Sequence, residues 1–327
     1  MPVRTTMLGS YPKPPPEGGS FNLRNTLHAI ERGTADEGDL QRVRQELVAE
    51  VISEQEAAGL DVVTDGQVWW DDLLTPFARN MAGFSIGGLL RWFDNNVYYR
   101  RPICTGPVEW RGPSSVDGWE YAQSVAHVPV KAIIPGPITF ARLSVDDHYG
   151  DRGKFVKALA SVLAQEAFEL EAAGAPIIQI DEPALLNAPE ELELARVSLE
   201  FITSQLQTAT TIVCTYFGDA KRLGPELFQL PADCFGLDFV AGPDNAQLVD
   251  DLPPEKSLQA GIVDARNTAL ESTAALQATI EPLSESLGDR LSLGPSAGLE
   301  FLPREKAKAK LERLVEAAKA VAGSGGS

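Results

Sequence analysis

Ile177–Pro183, IIQIDEP, is a short β-branched run that stops abruptly at two acids and a proline. Such a run suits a strand buried on both faces, as the strands of a parallel sheet are. Working outward from it, seven more runs of the same kind appear: Thr5–Tyr11, Leu60–Gln67, Lys131–Pro137, Thr211–Tyr216, Phe235–Val240, Leu258–Asp264 and Leu291–Ser296. Helical spacing fills most of the intervals. Asp39–Ala58 carries Leu40, Val43, Leu47, Val51 and Ile52 on one face, with Asp39 placed as its N-cap. Lys154–Ala173, Leu192–Thr208, Asp244–Asp251, Glu271–Leu287 and a last helix from about Pro303 to Val321 continue the alternation. Eight strands alternating with helices predict an α/β fold, a single (β/α)8 TIM barrel over residues 1–321. The AGSGGS end, 322–327, reads as a flexible tail.

One interval breaks the rhythm. Residues 69–130, between the second and third strands, hold all 5 tryptophans and far exceed what one helix needs. This insertion is expected at the barrel mouth, with a hairpin around Val97–Arg101, and either shapes a site or packs a small core of its own. The proline-rich stretch Pro12–Gly19 follows strand one at the same rim.

Composition narrows the function. The 327 residues are 44% hydrophobic, enough for one large core, and carry a net charge of −18. Such a surface repels nucleic-acid phosphates and anionic lipids, so neither partner is expected. No apolar run is long enough to span a bilayer, and the N-terminus lacks the apolar core of a signal peptide. The 3 cysteines are irregularly spaced, which points away from a disulfide framework and toward the cytoplasm.

A barrel gathers the C-terminal ends of its strands into one mouth. Those ends supply Ser10; Asp65 and Gln67; Asp181 and Glu182; Cys214 and Tyr216; Asp238; Asp264 with Arg266 and Asn267; and Ser296. Acids crowded together repel and call for a cation: a substrate ammonium, a metal or Arg266. Individually, each could instead cap a following helix. Cys214 reads either as a small buried hydrophobe or as a reactive thiol. His28, His127 and His148 all fall away from strand ends, so a Cys–His dyad has no visible partner.

The motifs are similar to those of cobalamin-independent methionine synthase. Ile178–Leu185, IQIDEPAL, resembles a specific segment of that family, and Thr5–Pro12, TTMLGSYP, resembles its opening strand. Arg91–Tyr99, Thr215–Gly218 and Gly261–Asn267 resemble segments of its N-terminal barrel, so the chain looks like that half standing alone. The resemblance implies methyl transfer from 5-methyltetrahydrofolate, as a polyglutamate, to homocysteine. The catalytic barrel of the family holds zinc through His, two Cys and Glu. Here Ile212 stands at the His position and Ala297 at the last Cys, leaving only Cys214 and Asp238 as an incomplete metal set. No tightly bound cofactor is therefore expected, and a second, zinc-bearing barrel becomes the expected partner. The resemblance gives Ser10 and Asp181 to the amino-acid substrate, and Arg24 and Arg91 to the glutamate tail of the folate. Trp92 and Tyr99 suit a flat pteridine. Asp65, Gln67, Asn96, Arg266 and Asn267 complete the candidate substrate contacts, and Asp181, Glu182, Asp264 and Tyr216 are the candidate catalytic groups. A zinc-free lyase or decarboxylase and a noncatalytic folate- or amino-acid-binding subunit are the alternatives on the same scaffold.

Overall fold

The computed structural model describes residues 3–13 and 23–324. Most of the proline-rich stretch, from Pro14 to Gly19, and the tail residues Gly325–Ser327 lie outside them. A seven-stranded parallel sheet forms the centre. Its members are β1 (Arg4–Thr5), β4 (Ala132–Pro135), β6 (Ile177–Asp181), β7 (Thr210–Cys214), β8 (Cys234–Asp238), β9 (Ser257–Val263) and β10 (Leu291–Pro295). They are ordered β1-β10-β9-β8-β7-β6-β4. Each of the five interior strands is buried along almost its whole length, the reason they read as continuous apolar runs.

The second expected strand, Leu60–Gln67, is not a regular strand. Only Val62 and Val63 pair, through parallel bridges to Thr6 and Val130. Val62 and Lys131 take backbone bonds that tie this segment to both edges of the sheet, Val62 N to Thr5 O at 3.2 Å and Lys131 N to Val63 O at 2.9 Å. Beyond Val63 the ladder ends because the Gln55 side chain captures Thr64, donating to its carbonyl at 2.9 Å and accepting its amide at 3.0 Å.

Helices cover the sheet. α2 (Glu37–Ala58) begins at Asp36 rather than Asp39. Asp36 accepts the Asp39 amide while Asp39 accepts the Asp36 amide, a reciprocal capping box, so the residue expected as the cap is its third-position partner. α6 (Arg152–Ala172) and α9 (Arg304–Ser324) match expectation, although α9 runs three residues into the expected tail. α7 (Leu192–Thr203) stops short of Thr208, where four amides or hydroxyls of Gln207–Ala209 converge on Glu171. Asp244–Asp251, expected as a helix of the regular alternation, lies in a 3-10 helix, Pro243–Asp251. α8 is Thr273–Leu287.

The insertion folds as α3 (Thr75–Asn80), a long antiparallel pair β2 (Met81–Arg91) and β3 (Tyr98–Trp110), and α4 (Val116–Val125). Val97–Arg101 is therefore not a hairpin by itself; it opens the second arm of a much longer one, whose tip is 92–97. β5 (Val145–Asp146) adds a third strand to this outer sheet. α1 (Leu23–Glu31) and α5 (Pro137–Leu143) complete the set. No helix among the described residues is long and apolar enough to cross a membrane.

Candidate functional site

A cavity of about 260 Å³ opens where the strands end. Ser10 and Lys13 reach it from the segment after β1, Asp181 from the end of β6, Tyr216 and Phe217 from the segment after β7, and Glu300 from the turn after β10. Gln67, Trp70, Asp71 and Asp72 line it from the start of the insertion, and Trp92, Val97 and Tyr98 from the tip of the hairpin. That volume holds a small amino acid and leaves the tip side open to something larger.

Asp181 is buried at 2% exposure and held on both oxygens: Gln179 Nε2 donates to Oδ1 at 2.7 Å and Tyr216 Oη to Oδ2 at 3.1 Å. Burial pushes its carboxyl up to about 7, against the pull of these donors and of Lys131. Burial also pushes the Tyr216 phenol well above its ordinary range, reinforced by the Asp181 charge. The phenol therefore stays protonated and serves as a donor.

Glu182, beside it, looks elsewhere. Its oxygens accept the Ile138 amide at 2.9 Å and the Thr139 amide at 2.7 Å, capping α5. Burial raises its carboxyl to about 7. Gly136 makes room for this, since a Cβ there would strike the Glu182 side chain. Glu182 does not line the cavity.

Other expected residues scatter. Asp238 accepts three backbone amides, from Phe217, Val240 and Ala241 at 2.8–3.0 Å, and organises the loop after β8. Asp264 accepts the Arg266 amide at 2.9 Å and lies outside the cavity. Arg266 lies over the Phe217 ring, 5.4 Å from its centroid, and pairs with Asp94 at 3.0 Å, clamping the hairpin tip to the mouth. Asn267 is exposed, turned onto the Ala269 amide. Arg24 is exposed on α1; Arg91 and Asn96 are exposed at the hairpin tip and joined at 3.2 Å. Tyr99 is buried, its hydroxyl on the Leu143 carbonyl at 2.9 Å, and meets Trp92 edge to face; Trp92 alone of the two lines the cavity. Asp65 accepts the Gln67 amide at 2.9 Å and adjoins a void of about 10 Å³ next to the cavity.

Lys13, Tyr98 and Glu300 were missed. Glu300 accepts a hydrogen bond from the Ser10 hydroxyl, and burial raises its carboxyl. Lys13 donates to the Trp70 carbonyl. Burial lowers its ammonium, while Glu300 and three aspartates hold it up. A sequence signal existed for both: each lies within five residues of a strand end already singled out, one step beyond the strand itself.

Backbone strain gathers here too. The three non-glycine residues with positive φ among those described are Gln67 at 53°, Phe93 at 50° and Phe217 at 70°. Gln67 and Phe217 line the cavity, and the Phe93 ring packs on Phe217 at 5.4 Å. Strain of this kind persists where surrounding contacts hold a working geometry.

The residues present do not fit a zinc centre. Cys214 is fully buried, and its sulfur lies where a Cβ on residue 236 would sit, which is why that residue is glycine. Burial raises its thiol well above its ordinary value, reinforced by Asp181. Asp238 has its oxygens committed to amides, and Ile212 and Ala297 offer no donor. Among the described residues no three His, Cys, Asp or Glu side chains are grouped to hold a metal ion.

Comparison with known proteins gives one consistent result. The family model described as "Cobalamin-independent synthase, Catalytic domain" matches residues 3–320. Among curated relatives, a methionine synthase of Saccharolobus solfataricus is 30% identical over 322 residues, covering 97% of this chain and 94% of its own length. One from Sulfurisphaera tokodaii is also 30% identical, with 97% and 92% covered. Among solved structures, a B12-independent methionine synthase from Shewanella sp. W3-18-1, in complex with selenomethionine, superposes with a TM-score of 0.82 at 22% identity, covering 99% of both chains. A putative vitamin-B12 independent methionine synthase from Listeria monocytogenes gives 0.76 at 17% identity, covering 98% of both. At those identities the structures speak to the fold. The model that matches is the catalytic domain, whereas the hairpin, TYF-like and GIVDARN segments had pointed to the N-terminal half.

Proposed function

Because the chain belongs to the cobalamin-independent methionine synthase family, we propose that it moves a methyl group from a 5-methyltetrahydrofolate to the thiol of homocysteine, giving methionine. The observation that carries this reading is Asp181 in the cavity, buried, oriented by Gln179 and Tyr216, and aimed at a space the size of an amino acid. A carboxylate so placed binds the substrate ammonium, and the Tyr216 hydroxyl fixes the direction of approach. Ser10 stands beside the same head group. Trp92, with Trp70 and Tyr98, flanks the open side, where a flat pteridine would lie. Arg24 and Arg91, both exposed, suit the carboxylates of a glutamate tail.

The architecture behind this reading is one closed eight-stranded barrel over residues 1–321, with the 69–130 insertion as its mouth. The Val62 and Val63 bridges, which join the two edges of the seven-stranded sheet, support closure. A separate zinc-bearing barrel is a partner the ligand-poor sequence suggests. The three cysteines are unpaired, in keeping with the cytoplasm as the place of reaction.

The test is direct. Methyl-labelled methyltetrahydrofolate and its polyglutamate are incubated with homocysteine and the purified chain, with and without a zinc-complete barrel. Labelled methionine is the expected product. None above the enzyme-free rate in either arm overturns the reading.

A further inference from the structure

We propose that Arg266 is a positioning residue: by docking the hairpin tip on Phe217 it builds the wall that receives the methyl donor, and it makes that wall respond to the bound amino acid. The inference rests on the methyl transfer proposed above and deepens it. It starts from a separation in the fold. Trp92, Val97 and Tyr98 line the cavity, yet they belong to the hairpin of the outer sheet and not to the strands of the central one. Arg266 and Asp94, the ion pair that joins the two parts, do not line the cavity themselves.

Arg266 is firmly rooted just after β9. Its amide donates to Asp264 Oδ1 at 2.9 Å, and the Asp264 amide donates to Glu271 at 2.9 Å. Glu271 in turn pairs with the buried Lys310 of α9 at 2.8 Å. From that base the guanidinium lies over the Phe217 ring, 5.4 Å from its centroid. Its Nη1 also donates to Asp94 Oδ1 at 3.0 Å and to Asn95 Oδ1 at 3.4 Å. The tip is closed on itself, with the Trp92 amide on the Val97 carbonyl at 2.9 Å and the Asn95 amide on the Trp92 carbonyl at 3.1 Å. A hold on Asp94 and Asn95 is therefore a hold on Trp92 and Val97.

Phe217 is the platform on which the tip rests. Its ring meets Phe93 of the tip at 5.4 Å and Tyr216 edge to face at 4.8 Å. Its φ of 70° is held by the bond from its amide to Asp238 at 3.0 Å. The Tyr216 hydroxyl donates to Asp181 at 3.1 Å. An amino acid whose ammonium sits on Asp181 fixes Tyr216, and with it the ring that carries both Phe93 and Arg266. The Asp94 carboxylate is 79% exposed, and an exposed ion pair and a cation over a ring are each weak contacts. Weak contacts suit a wall that opens for the inner ligand and closes once that ligand is in place.

The experiment uses a pair that cannot react, homocysteine and methyl-free tetrahydrofolate. Binding is measured by anaerobic calorimetry, and docking by hydrogen exchange across residues 91–99, in wild type, Arg266→Ala, Arg266→Lys and Asp94→Asn. With homocysteine present, Arg266→Ala should bind tetrahydrofolate about tenfold more weakly, whereas homocysteine alone should bind within about twofold of wild type. Asp94→Asn, which removes a group that lies outside the cavity, should weaken tetrahydrofolate about threefold. Arg266→Lys can still pair with Asp94 and should fall between wild type and Arg266→Ala. A tetrahydropterin without the glutamate should show the same ratios, because the wall meets the ring. Exchange across 91–99 should slow when homocysteine binds the wild type, and should be fast and indifferent to homocysteine in Arg266→Ala.

A loss confined to the two Arg266 variants and to the glutamate-bearing ligand would make Arg266 a direct contact of the donor and overturn the assignment. So would equal tetrahydrofolate affinity in all four proteins. Exchange across 91–99 that Arg266→Ala leaves unchanged, or that homocysteine leaves unchanged in the wild type, overturns it as well. Exchange that behaves as expected in a wild type that binds neither tetrahydrofolate nor the pterin upholds the docking of the tip by Arg266 and defeats the methyl-transfer reading.

Discussion

Asp181 is the residue at which sequence and structure meet most closely. It closes the IIQIDEP run, and the strand that the run forms delivers its side chain to the cavity. Asp181→Asn keeps the shape and removes the charge. An ion-paired hydrogen bond is worth roughly 1.5–3 kcal/mol, so homocysteine should bind about tenfold to a hundredfold more weakly by calorimetry. The melting temperature should not fall, because burial already opposes ionisation of this carboxyl. Unchanged affinity with a lower melting temperature would assign Asp181 to structure. Glu182, its neighbour in sequence, belongs to the fold: it caps α5 inside space that Gly136 leaves open. Gly136→Ala should therefore cost about 1–3 kcal/mol in a denaturant melt, through overpacking, while Glu182→Gln should weaken the same cap. Two adjacent acids with opposite duties cannot be told apart from the sequence, since the backbone alternation that separates them is set by the strand end. Lys13 and Glu300 were hidden for another reason. Ser10 and Glu300 are 290 positions apart, and only the parallel pairing of β1 with β10, the first and last strands, brings them together.

Elements were legible where one physical cause dominates. The interior strands announce themselves because both faces are buried, and α2, α6, α8 and α9 because one face is. Legibility failed where side chains divert the backbone. Gln55 takes the Thr64 backbone out of the ladder and so ends the second strand at two bridges. Pro243 opens a turn rich in Asp and Asn that tightens to 3-10 form. The long hairpin escaped because its glycines and two register shifts, at Ala82/Phe84 and Ile86/Leu89, interrupt its alternation. At α2 the cap assignment was off by three residues, and the reciprocal geometry explains it: Asp36 and Asp39 each accept the other's amide. Asp36→Ala should cost about 1 kcal/mol, as N-caps do, and Asp39→Ala a measurable part of it. Thermal melts of the two variants and the double variant check this. Additive losses would show that the two bonds act independently rather than as one box.

For the whole molecule, the buried titratable groups set an unusual dependence of stability on pH. In the folded chain Asp181 and Glu182 are each raised to about 7, whereas unfolded carboxyls titrate near their ordinary values of 3.8 and 4.5. Between those limits the native state holds more protons than the unfolded state, so stability falls as pH rises. The contribution is complete below about 4 and gone above about 7. Lys131, buried in the barrel on the Gln259 amide oxygen at 2.9 Å, acts in a different window. Burial lowers its ammonium from 10.5 to about 8, so the native state releases its proton first and stability recovers as pH rises from about 8 to 10.5. Glu56, held below the usual glutamate range against burial by the His127 ring and the His127 and Val128 amides, and Glu171, held there against burial by the Gln207–Ala209 amides, lose their contribution only in acid, below the window of interest. The −18 surface adds repulsion that grows as carboxylates ionise, in the same direction as Asp181 and Glu182. The melting temperature of the ligand-free chain at fixed ionic strength should therefore decline from pH 5 to a minimum between about 7 and 8, then rise. Asp181→Asn should flatten the acidic limb and Lys131→Met the alkaline one. A melting temperature that climbs steadily from pH 5 to 7 would mean these carboxyls are already ionised in the native barrel. The ammonium subsite would then be charged without its ligand. Homocysteine binding distinguishes the two cases independently. With Asp181 protonated below 7, affinity should strengthen with pH up to that value in the wild type and stay flat in Asp181→Asn.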